Sequence, residues 1–386
     1  MQNSTKRNGQ AGHPRGGPKA LTLLTTGLLR ADRIREEADE CPRASLYERM
    51  IDTDMLDEQF LLEAPAWRRW LYRYLPLVPS QVIEGFFIRR RYDVVISWSD
   101  PHALLFAAML KLTGRRMPHV ALMFWISKPT KAAWLKRVHS HIDTIVLWTS
   151  AHRDFAINTL GIPPSKIRFI PYYVDQKFWR PMERQTDMIC SVGVEMRDYP
   201  TLIEAIRPLD ITCHIAAGEA RGKLFPTVTA IYENGPLPPH ITAGRLSPPE
   251  LRTLYARSRF VVIPLLPSES DNGLTVILEA MAMGKAIICS RTAGQRDVII
   301  EGTTGIFVPQ GDRLALREAI QDLWDHPEKA DRMGRAGRAY VESHATWEQF
   351  IANIKSFAEE AAGMANPTLP DNTPTRIHAT GASIHS

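Results

Sequence analysis

Cysteine is scarce in this chain, and its spacing suggests no cross-link. The 386 residues include four cysteines that lie far apart, with no CxxC pair. Such spacing favours neither a zinc site nor a disulfide framework. Cys190, Cys213 and Cys289 lie inside apolar runs, so we interpret them as small buried side chains in a reducing compartment. No HExxH or other clustered metal-ligand spacing occurs, and we expect neither a bound metal nor a cofactor.

Long hydrophobic runs are also absent. No apolar run approaches the roughly 20 residues that a membrane-spanning helix needs. The N-terminus is basic but lacks the apolar core of a signal peptide, so we expect a cytoplasmic protein. The net charge of +5 is small against 47 basic and 42 acidic residues. With no recognition module in the sequence, we do not expect nucleic-acid binding.

Short apolar or β-branched runs alternate with helical patterns along most of the chain. Continuous apolar strands separated by helices predict parallel sheets that are covered on both faces. Two series of such strands predict an α/β fold with two doubly wound, Rossmann-like domains. The strand-like runs are 20–26, 92–98, 119–125, 143–149 and 166–173 in the first series, and 187–193, 211–218, 240–246, 259–266, 285–290 and 304–309 in the second.

The boundary between the two series falls near 171–187, where prolines and charges interrupt the pattern. A cleft between two such domains usually holds the ligand at the carboxyl ends of the strands. Both ends of the chain are polar and too poor in apolar residues to offset the entropy of ordering. We therefore predict a disordered tail over 1–18, a first domain over 19–180, a second domain over 181–345, a final helix over 346–364 that crosses back to the first domain, and a disordered tail over 365–386.

The stretch 267–290 carries the most information about function. It contains a turn and helix-start signal, Asp-Asn-Gly, at 271–273, and Gly284 is a natural helix stop. The helix between them is apolar except for Thr275 and Glu279, which share one face. A carboxylate in an apolar helix needs a polar partner. One candidate partner is the hydroxyls of a ligand, and the alternative is that Glu279 reaches solvent or an internal arginine. The N–H groups and positive dipole end of the helix N-terminus suit a phosphate.

Asp271, followed after seven residues by Glu279, resembles the Glu-x7-Glu motif of retaining GT-B glycosyltransferases, particularly family 4. The resemblance covers roughly residues 143–350. It implies a GT-B fold, and it implies transfer of a hexosyl unit from a UDP- or GDP-sugar to a glycan or lipid-linked acceptor in polysaccharide or glycolipid biosynthesis. Further stretches that resemble the family are 160–181, 191–206, 216–220, 243–264, 293–320 and 333–350.

The resemblance also implies a role for each matching residue. Glu279 would bind the ribose hydroxyls, while Asp271 and the backbone after it would contact the donor sugar and its phosphates. Arg197 would neutralise the diphosphate leaving group, because a fixed guanidinium stabilises the negative charge that develops there. The predicted catalytic residues are Arg197, Asp271 and Glu279, and the predicted nucleotide-sugar-binding residues are Gly193, Asn272, Gly273, Leu274 and Thr275. No metal and no cofactor other than the donor substrate is implied.

Several positions depart from the family pattern. Asp271 is one methylene shorter than the usual glutamate, which bears on the choice of donor sugar. Val194 stands where an arginine often follows the glycine, and Lys223 is a candidate for the missing charge. The residues 125–128, Trp-Ile-Ser-Lys, stand where the family often has a histidine, so no catalytic histidine is assigned. His102 follows a strand end, and a helix-start role is favoured over a place in the cleft.

The stretch 66–91 contains six arginines, one acidic residue and several aromatic residues. One interpretation is peripheral contact with anionic headgroups at the inner face of a membrane. The other is a helix whose arginines are simply solvated.

Other functions remain compatible with the same motifs. A nucleotide-sugar epimerase would share the fold and would release free sugar and nucleotide without an acceptor. A phosphorylase would also share the fold, but it would need a phosphate site or a bound cofactor lysine, and we identify neither in the sequence. A catalytically silent subunit of a transferase complex would keep the fold without turnover.

Overall fold

The computed structural model describes residues 17–25, 30–218, 225–268, 271–292 and 294–364. Residues 1–16 of the predicted N-terminal tail and the whole predicted tail over 365–386 lie outside these ranges. Lys223 also lies outside them.

The first six strands form one parallel sheet in the order β2-β1-β3-β4-β5-β6. Their apolar side chains are almost entirely buried except on β2 and β6 at the two edges, as expected for a sheet covered on both faces. The strands are β1 (Ala20–Leu23), β2 (Thr53–Leu56), β3 (Val94–Ser97), β4 (His119–Leu122), β5 (Thr144–Leu147) and β6 (Ile167–Phe169). The helices around them are α1 (Arg30–Glu37), α2 (Leu46–Met50), α3 (Glu58–Leu62), α4 (Ala66–Tyr72), α5 (Leu77–Ile88), α6 (Asp100–Leu112), α7 (Pro129–Val138) and α8 (Ser150–Asp154), which continues into a π-helical turn (Phe155–Thr159).

The remaining strands form a second parallel sheet in the order β12-β11-β10-β7-β8-β9. Together the two sheets confirm the predicted α/β fold with two doubly wound, Rossmann-like halves. The strands are β7 (Met188–Val192), β8 (Cys213–Ala216), β9 (Ile241–Gly244), β10 (Ser258–Ile263), β11 (Ala286–Ser290) and β12 (Gly305–Val308). The helices are α9 (Tyr199–Ile206), α10 (Pro226–Thr229), α11 (Pro248–Arg257), α12 (Leu274–Ala282), α13 (Arg313–Asp325) and α14 (Pro327–His344).

One strand was missed by the sequence analysis. The edge strand β2 reads Thr-Asp-Met-Leu, and three of its four side chains are partly exposed. Because an edge strand is covered less completely than a central one, it shows no continuous apolar run. It pairs in parallel with β1, with Leu56 opposite Leu23.

The last described helix, α15 (Trp347–Ala361), follows the second sheet in sequence but packs against β3, β4 and α2 of the first. Its N-terminus is closed by a capping box between Thr346 and Gln349. Its buried side chains recur at the three- and four-residue spacing of an amphipathic helix, so one face is committed to the first sheet. These side chains are Trp347, Phe350, Ile351, Ile354 and Ala358.

An ion-pair network ties this helix to the linker and to the first domain. Arg43 donates to both carboxylate oxygens of Asp175 and, through Nη1, to Glu348 at 3.0 Å. The backbone N–H of Arg43 also donates to Asp175 at 2.7 Å, and its carbonyl accepts from the indole of Trp347 at 2.7 Å. Although burial raises the pKa of Glu348, the hydrogen bonds from Gln176, its own backbone amide and Arg43 outweigh it and lower that pKa to about 2. Three separate segments of the chain therefore meet at one guanidinium.

Replacing Arg43 should destabilise the protein strongly. Asp175 is 5% exposed, and Arg43→Ala would leave its carboxylate buried without a countercharge. We expect a loss of about 2–4 kcal/mol in the free energy of unfolding. The loss is limited to this range because the backbone amides of Lys177 and Phe178 still donate to Asp175. Urea denaturation measures this change. Arg257→Ala, which removes a solvent-exposed pair with Asp187, is the control and should leave the free energy of unfolding nearly unchanged. Equal losses in the two variants would contradict the role given to the network.

Candidate active site

The carboxyl ends of the two sheets face each other across a cleft. One cavity in this cleft has a volume of about 820 Å³. The first domain contributes Trp125 and Lys128, in the loop after β4, and the second contributes Met196, Ser268 and Thr292, which follow β7, β10 and β11. Facing carboxyl edges of this kind are the usual ligand position in doubly wound folds.

A second cavity, of about 930 Å³, lies where the ends of β1 and β3 approach the residues that follow β9. Its lining combines aromatic rings with a few charged side chains at 32, 35, 36 and 245. An aromatic wall of this kind suits the flat faces of sugars or other ring systems. The aromatic lining residues are Tyr47, Trp98, Tyr173 and Trp347.

The turn before α12 lies beside the cavity in the cleft, because Asn272 is bonded to Ser268, which lines it. Gly273 has a φ of 90°, a left-handed conformation that lets the chain turn sharply into the helix. The Asn272 side chain donates to Ser268 Oγ at 2.8 Å, and the backbone carbonyl of Asn272 accepts from the side-chain amide of Gln295 at 2.5 Å. Leu274 is buried in the core, whereas Thr275 is exposed. Of the predicted binding residues 272–275, Thr275 is therefore the one whose side chain is exposed.

Arg197 lies beside this turn with only 4% of its surface exposed. Its Nε donates to the carbonyl of Val192 at 2.9 Å and its Nη1 to that of Glu195 at 2.8 Å, which fixes the guanidinium. Burial lowers the pKa of Arg197 from its ordinary value, yet an arginine stays charged in proteins. Gly193 has a φ of 113°, and a Cβ there would lie 2.5 Å from Arg197 Nη2. Only glycine therefore lets this arginine fold back toward the turn.

Glu279 lies one turn into α12 and is partly buried. Its Oε2 accepts a hydrogen bond from the Tyr255 hydroxyl at 3.0 Å. Burial raises the pKa of Glu279 to about 7, although the bond from Tyr255 opposes the shift. A carboxylate held in such surroundings is stabilised when ligand hydroxyls donate to it.

Asp271 is bonded from the opposite domain. Its Oδ2 accepts from the indole Nε1 of Trp148 at 2.6 Å, and Trp148 directly follows β5. Tyr172, in the linker, lies close to both acidic residues. Its own burial, the neighbouring Tyr173 and the carboxylates of Asp271 and Glu279 raise the pKa of the Tyr172 hydroxyl well above its ordinary value. The structure therefore brings Arg197, Asp271 and Glu279 into one region.

The aromatic members of this region were not predicted from the sequence. Trp148, Tyr172 and Tyr255 bond to or lie beside the two carboxylates, but nothing in their local pattern distinguishes them from core residues. The one available signal was the Tyr172-Tyr173 pair inside the polar linker. His102, by contrast, is fully buried and bonds to Ser99 and Gln81 at the start of α6, and burial lowers its pKa to about 4.

Two further features are absent from the residues that the structure describes. No group of three or more His, Cys, Asp or Glu side chains is arranged to hold a metal ion within those ranges. Across the same part of the chain, no helix has the length and apolar character needed to cross a membrane.

Two Rossmann-like domains with a cleft between their carboxyl edges define the GT-B class of glycosyltransferase folds. Residues 194–340 match the model of the family described as glycosyl transferases group 1. The resemblance is thereby confirmed at the level of glycosyl transferases group 1 and the GT-B fold.

Relatives of known name agree with this assignment. The chain is 23% identical over 296 residues to the GDP-mannose-dependent alpha-(1-6)-phosphatidylinositol monomannoside mannosyltransferase of Mycobacterium tuberculosis, covering 69% of this chain and 76% of that protein. It is 25% identical over 167 residues to the glycosyltransferase MJ1178 of Methanocaldococcus jannaschii, covering 43% of this chain and 46% of that one. The match thus spans less than half of the archaeal protein.

Solved structures show the same fold. Sucrose-phosphate synthase from Thermosynechococcus elongatus superposes with a TM-score of 0.69 at 15% identity, covering 90% of this chain and 100% of that one. The Anabaena Alr3699/HepE structure in complex with UDP-glucose gives 0.63 at 15% identity, with the same coverage of 90% and 100%. At this identity the likeness concerns the fold alone.

The pKa of Glu279 predicts a measurable stability cost. Since the folded pKa of about 7 exceeds the ordinary value of 4.5, the wild type should lose stability as pH rises between these values. Glu279→Gln keeps an oxygen for Tyr255 but cannot ionise. It should therefore be more stable than the wild type at pH 8, by about 1–3 kcal/mol, and close to it near pH 5. Urea unfolding at both pH values measures this. Glu318→Gln on the exposed face of α13 is the control. If Glu279→Gln differed from the wild type in stability by the same amount at both pH values, the raised pKa of Glu279 would be contradicted.

Proposed function

We propose that this protein is a retaining glycosyltransferase of the family 4 type that transfers a hexosyl unit from a UDP- or GDP-sugar to a glycan or lipid-linked acceptor. The observation that carries the proposal is that Glu279, Arg197 and the N-terminus of α12 lie in one region, next to Met196 and Ser268, which line the cavity in the cleft. The names of the relatives support it. The mycobacterial protein is a GDP-mannose-dependent mannosyltransferase, and the Anabaena structure holds UDP-glucose.

The nucleotide would be held by the second domain. The Glu279 carboxylate offers two acceptor oxygens to the adjacent hydroxyls of a ribose, while Tyr255 fixes its orientation. Nucleotide binding would favour the ionised form, so a proton should leave the site on binding near neutral pH. Glu279 and Tyr255 both belong to the second domain, so this part of the site does not depend on the position of the first domain.

The diphosphate would lie at the N-terminus of α12 beside Arg197. Helix N-termini present N–H groups and a partial positive charge to an anion, and the fixed guanidinium adds a full charge. When the bond between the sugar C1 and the phosphate oxygen breaks, negative charge grows on that oxygen. Arg197 and the helix then stabilise it without a resident metal ion.

The acceptor hydroxyl must lose a proton as it attacks the sugar. A phosphate oxygen of the departing donor can take that proton on the same face of the sugar, which gives retention of the anomeric configuration. No histidine lines either of the two cavities described above. The proposed reaction accordingly assigns no protein side chain as a general base.

The acceptor side includes a candidate membrane surface on the first domain. We define the aromatic–arginine patch as the exposed aromatic and arginine side chains between residues 66 and 91. Trp67, Trp70 and Tyr74 are 59%, 60% and 72% exposed, and Phe87 is 48% exposed. Arg68 is committed to an ion pair with buried Glu84, but four other arginines are exposed. Aromatic rings beside arginines suit the interface of an anionic bilayer, so we propose peripheral contact there. The exposed arginines are Arg69, Arg73, Arg90 and Arg91.

Nucleotide binding is the first test. We expect one nucleotide family among UDP, GDP and ADP to raise the melting temperature, with about 2.7 kcal/mol of stabilisation at a hundredfold excess over Kd. Glu279→Ala should abolish both that shift and sugar transfer, because it removes the acceptor for the ribose hydroxyls. Differential scanning fluorimetry with each nucleotide and its sugar conjugates measures the shift.

Glu318→Ala is the matched control and should bind as the wild type does. The rise in melting temperature and the turnover should both survive EDTA. The product should have the anomeric configuration of the donor. Release of free sugar and nucleotide without any acceptor would favour an epimerase instead. Absence of any shift would favour a catalytically silent subunit.

Membrane contact is tested with vesicles. Trp67→Ser combined with Trp70→Ser should lower binding to vesicles that contain anionic phosphatidylglycerol by about tenfold or more. The loss is expected because two rings no longer enter the headgroup region. Co-sedimentation measures the bound fraction, and Trp134→Ser, at an exposed tryptophan on α7, is the control. Equal binding to neutral and anionic vesicles would contradict the role of the arginines.

A further inference from the structure

We infer that Trp148 is a positioning residue for Asp271, so that recognition of the donor sugar requires both domains, whereas recognition of the nucleotide requires only the second. This inference rests on the proposed function and adds a residue that the Glu-x7-Glu pattern does not contain. It begins from one contact, the hydrogen bond from Trp148 Nε1 to Asp271 Oδ2 at 2.6 Å.

Packing holds the indole in place. Trp148 is 1% exposed, so its ring is unavailable to a substrate and can act only through the groups it touches. Phe124 packs edge-on against it with ring centroids 4.4 Å apart, and Tyr172 packs at 5.1 Å. Because the indole is buried and packed against both rings, it cannot turn its N–H elsewhere without disturbing the core. Its hydrogen bond is also to a charged acceptor, which makes it one of the stronger kinds.

Asp271 needs such a partner because of where it stands. It lies just before the N-terminus of α12, and its carbonyl accepts from the N–H of Leu274 at 3.1 Å. A short carboxylate two residues before the N-cap Gly273 can bond to the backbone N–H groups of the turn that opens the helix. Those are the groups that the donor phosphates would use. A fixed indole N–H holds the carboxylate away from the helix and toward the sugar.

The bond also joins the two domains. Trp148 follows β5 of the first sheet, and Asp271 follows β10 of the second. Beside it, the N–H of Ser150 donates to Asp297 at 2.7 Å, and Arg296 donates to the Ser150 hydroxyl at 3.0 Å. A separation of the domains by a few ångströms would break all three bonds. Glu279 and Tyr255, in contrast, would keep their contact.

The test separates the affinity for nucleotide from the affinity for sugar. Trp148→Phe keeps a ring against Phe124 and Tyr172 but removes the N–H. We expect Kd for the nucleoside diphosphate that shifts the wild type to change less than about twofold, and Kd for its sugar conjugate to rise about tenfold. Isothermal titration calorimetry measures both. Trp324→Phe, at a tryptophan that packs on Arg259 far from the cleft, is the control.

A double-mutant cycle tests whether Trp148 acts through Asp271. In an Asp271→Ala background, adding Trp148→Phe should change Kd for the sugar conjugate by less than about twofold. Three results would overturn the inference: unchanged affinity in Trp148→Phe, an equal loss for nucleotide and conjugate, or effects that multiply in the double variant. If the wild type binds no nucleotide, the proposed function falls and the inference falls with it.

Discussion

The ion pair between Arg43 and Asp175, with Glu348 on the same guanidinium, is the constraint on which the rest of the structure depends. It joins a loop of the first domain, the linker and the start of α15, three segments far apart in sequence. Burying these charges is costly, and the cost is offset only because each carboxylate is also bonded by backbone amides or side-chain donors. Since the linker is fixed at this point, the carboxyl edges of the two sheets are held facing each other. The cleft follows from that arrangement.

Glu279 and Arg197 lower the stability of the fold, and we interpret this as a requirement of ligand binding. Burial disfavours the charged forms of both Glu279 and Arg197, and neither is neutralised by a direct partner of opposite charge among the interactions described above. A core built only for stability would replace such groups by apolar residues. Burial raises the pKa of Glu279 and lowers that of Arg197. A ligand that carries hydroxyls and phosphates therefore explains these two groups better than packing does.

Much of the fold could be predicted because parallel strands covered on both faces leave continuous apolar runs, as in β7 and β10. Glu279 could be singled out because a carboxylate in an apolar helix stands out within a short window. The edge strand β2 could not be found, since partial exposure removes the signal. Trp148 could not be assigned a role either, because its partner Asp271 lies 123 residues away in sequence. Long-range contacts of this kind are set by how the domains dock, and no local pattern records that docking.

The return of α15 to the first sheet has a consequence for how the chain reaches its folded state on the ribosome. The surface of β3 and β4 that this helix covers is formed by residues before 123, yet the helix that covers it spans Trp347–Ala361. During synthesis the first sheet must therefore wait, with an apolar face uncovered, while more than two hundred further residues are translated. The nascent chain is exposed to aggregation throughout that interval, which makes it a natural client for chaperones that bind apolar surfaces.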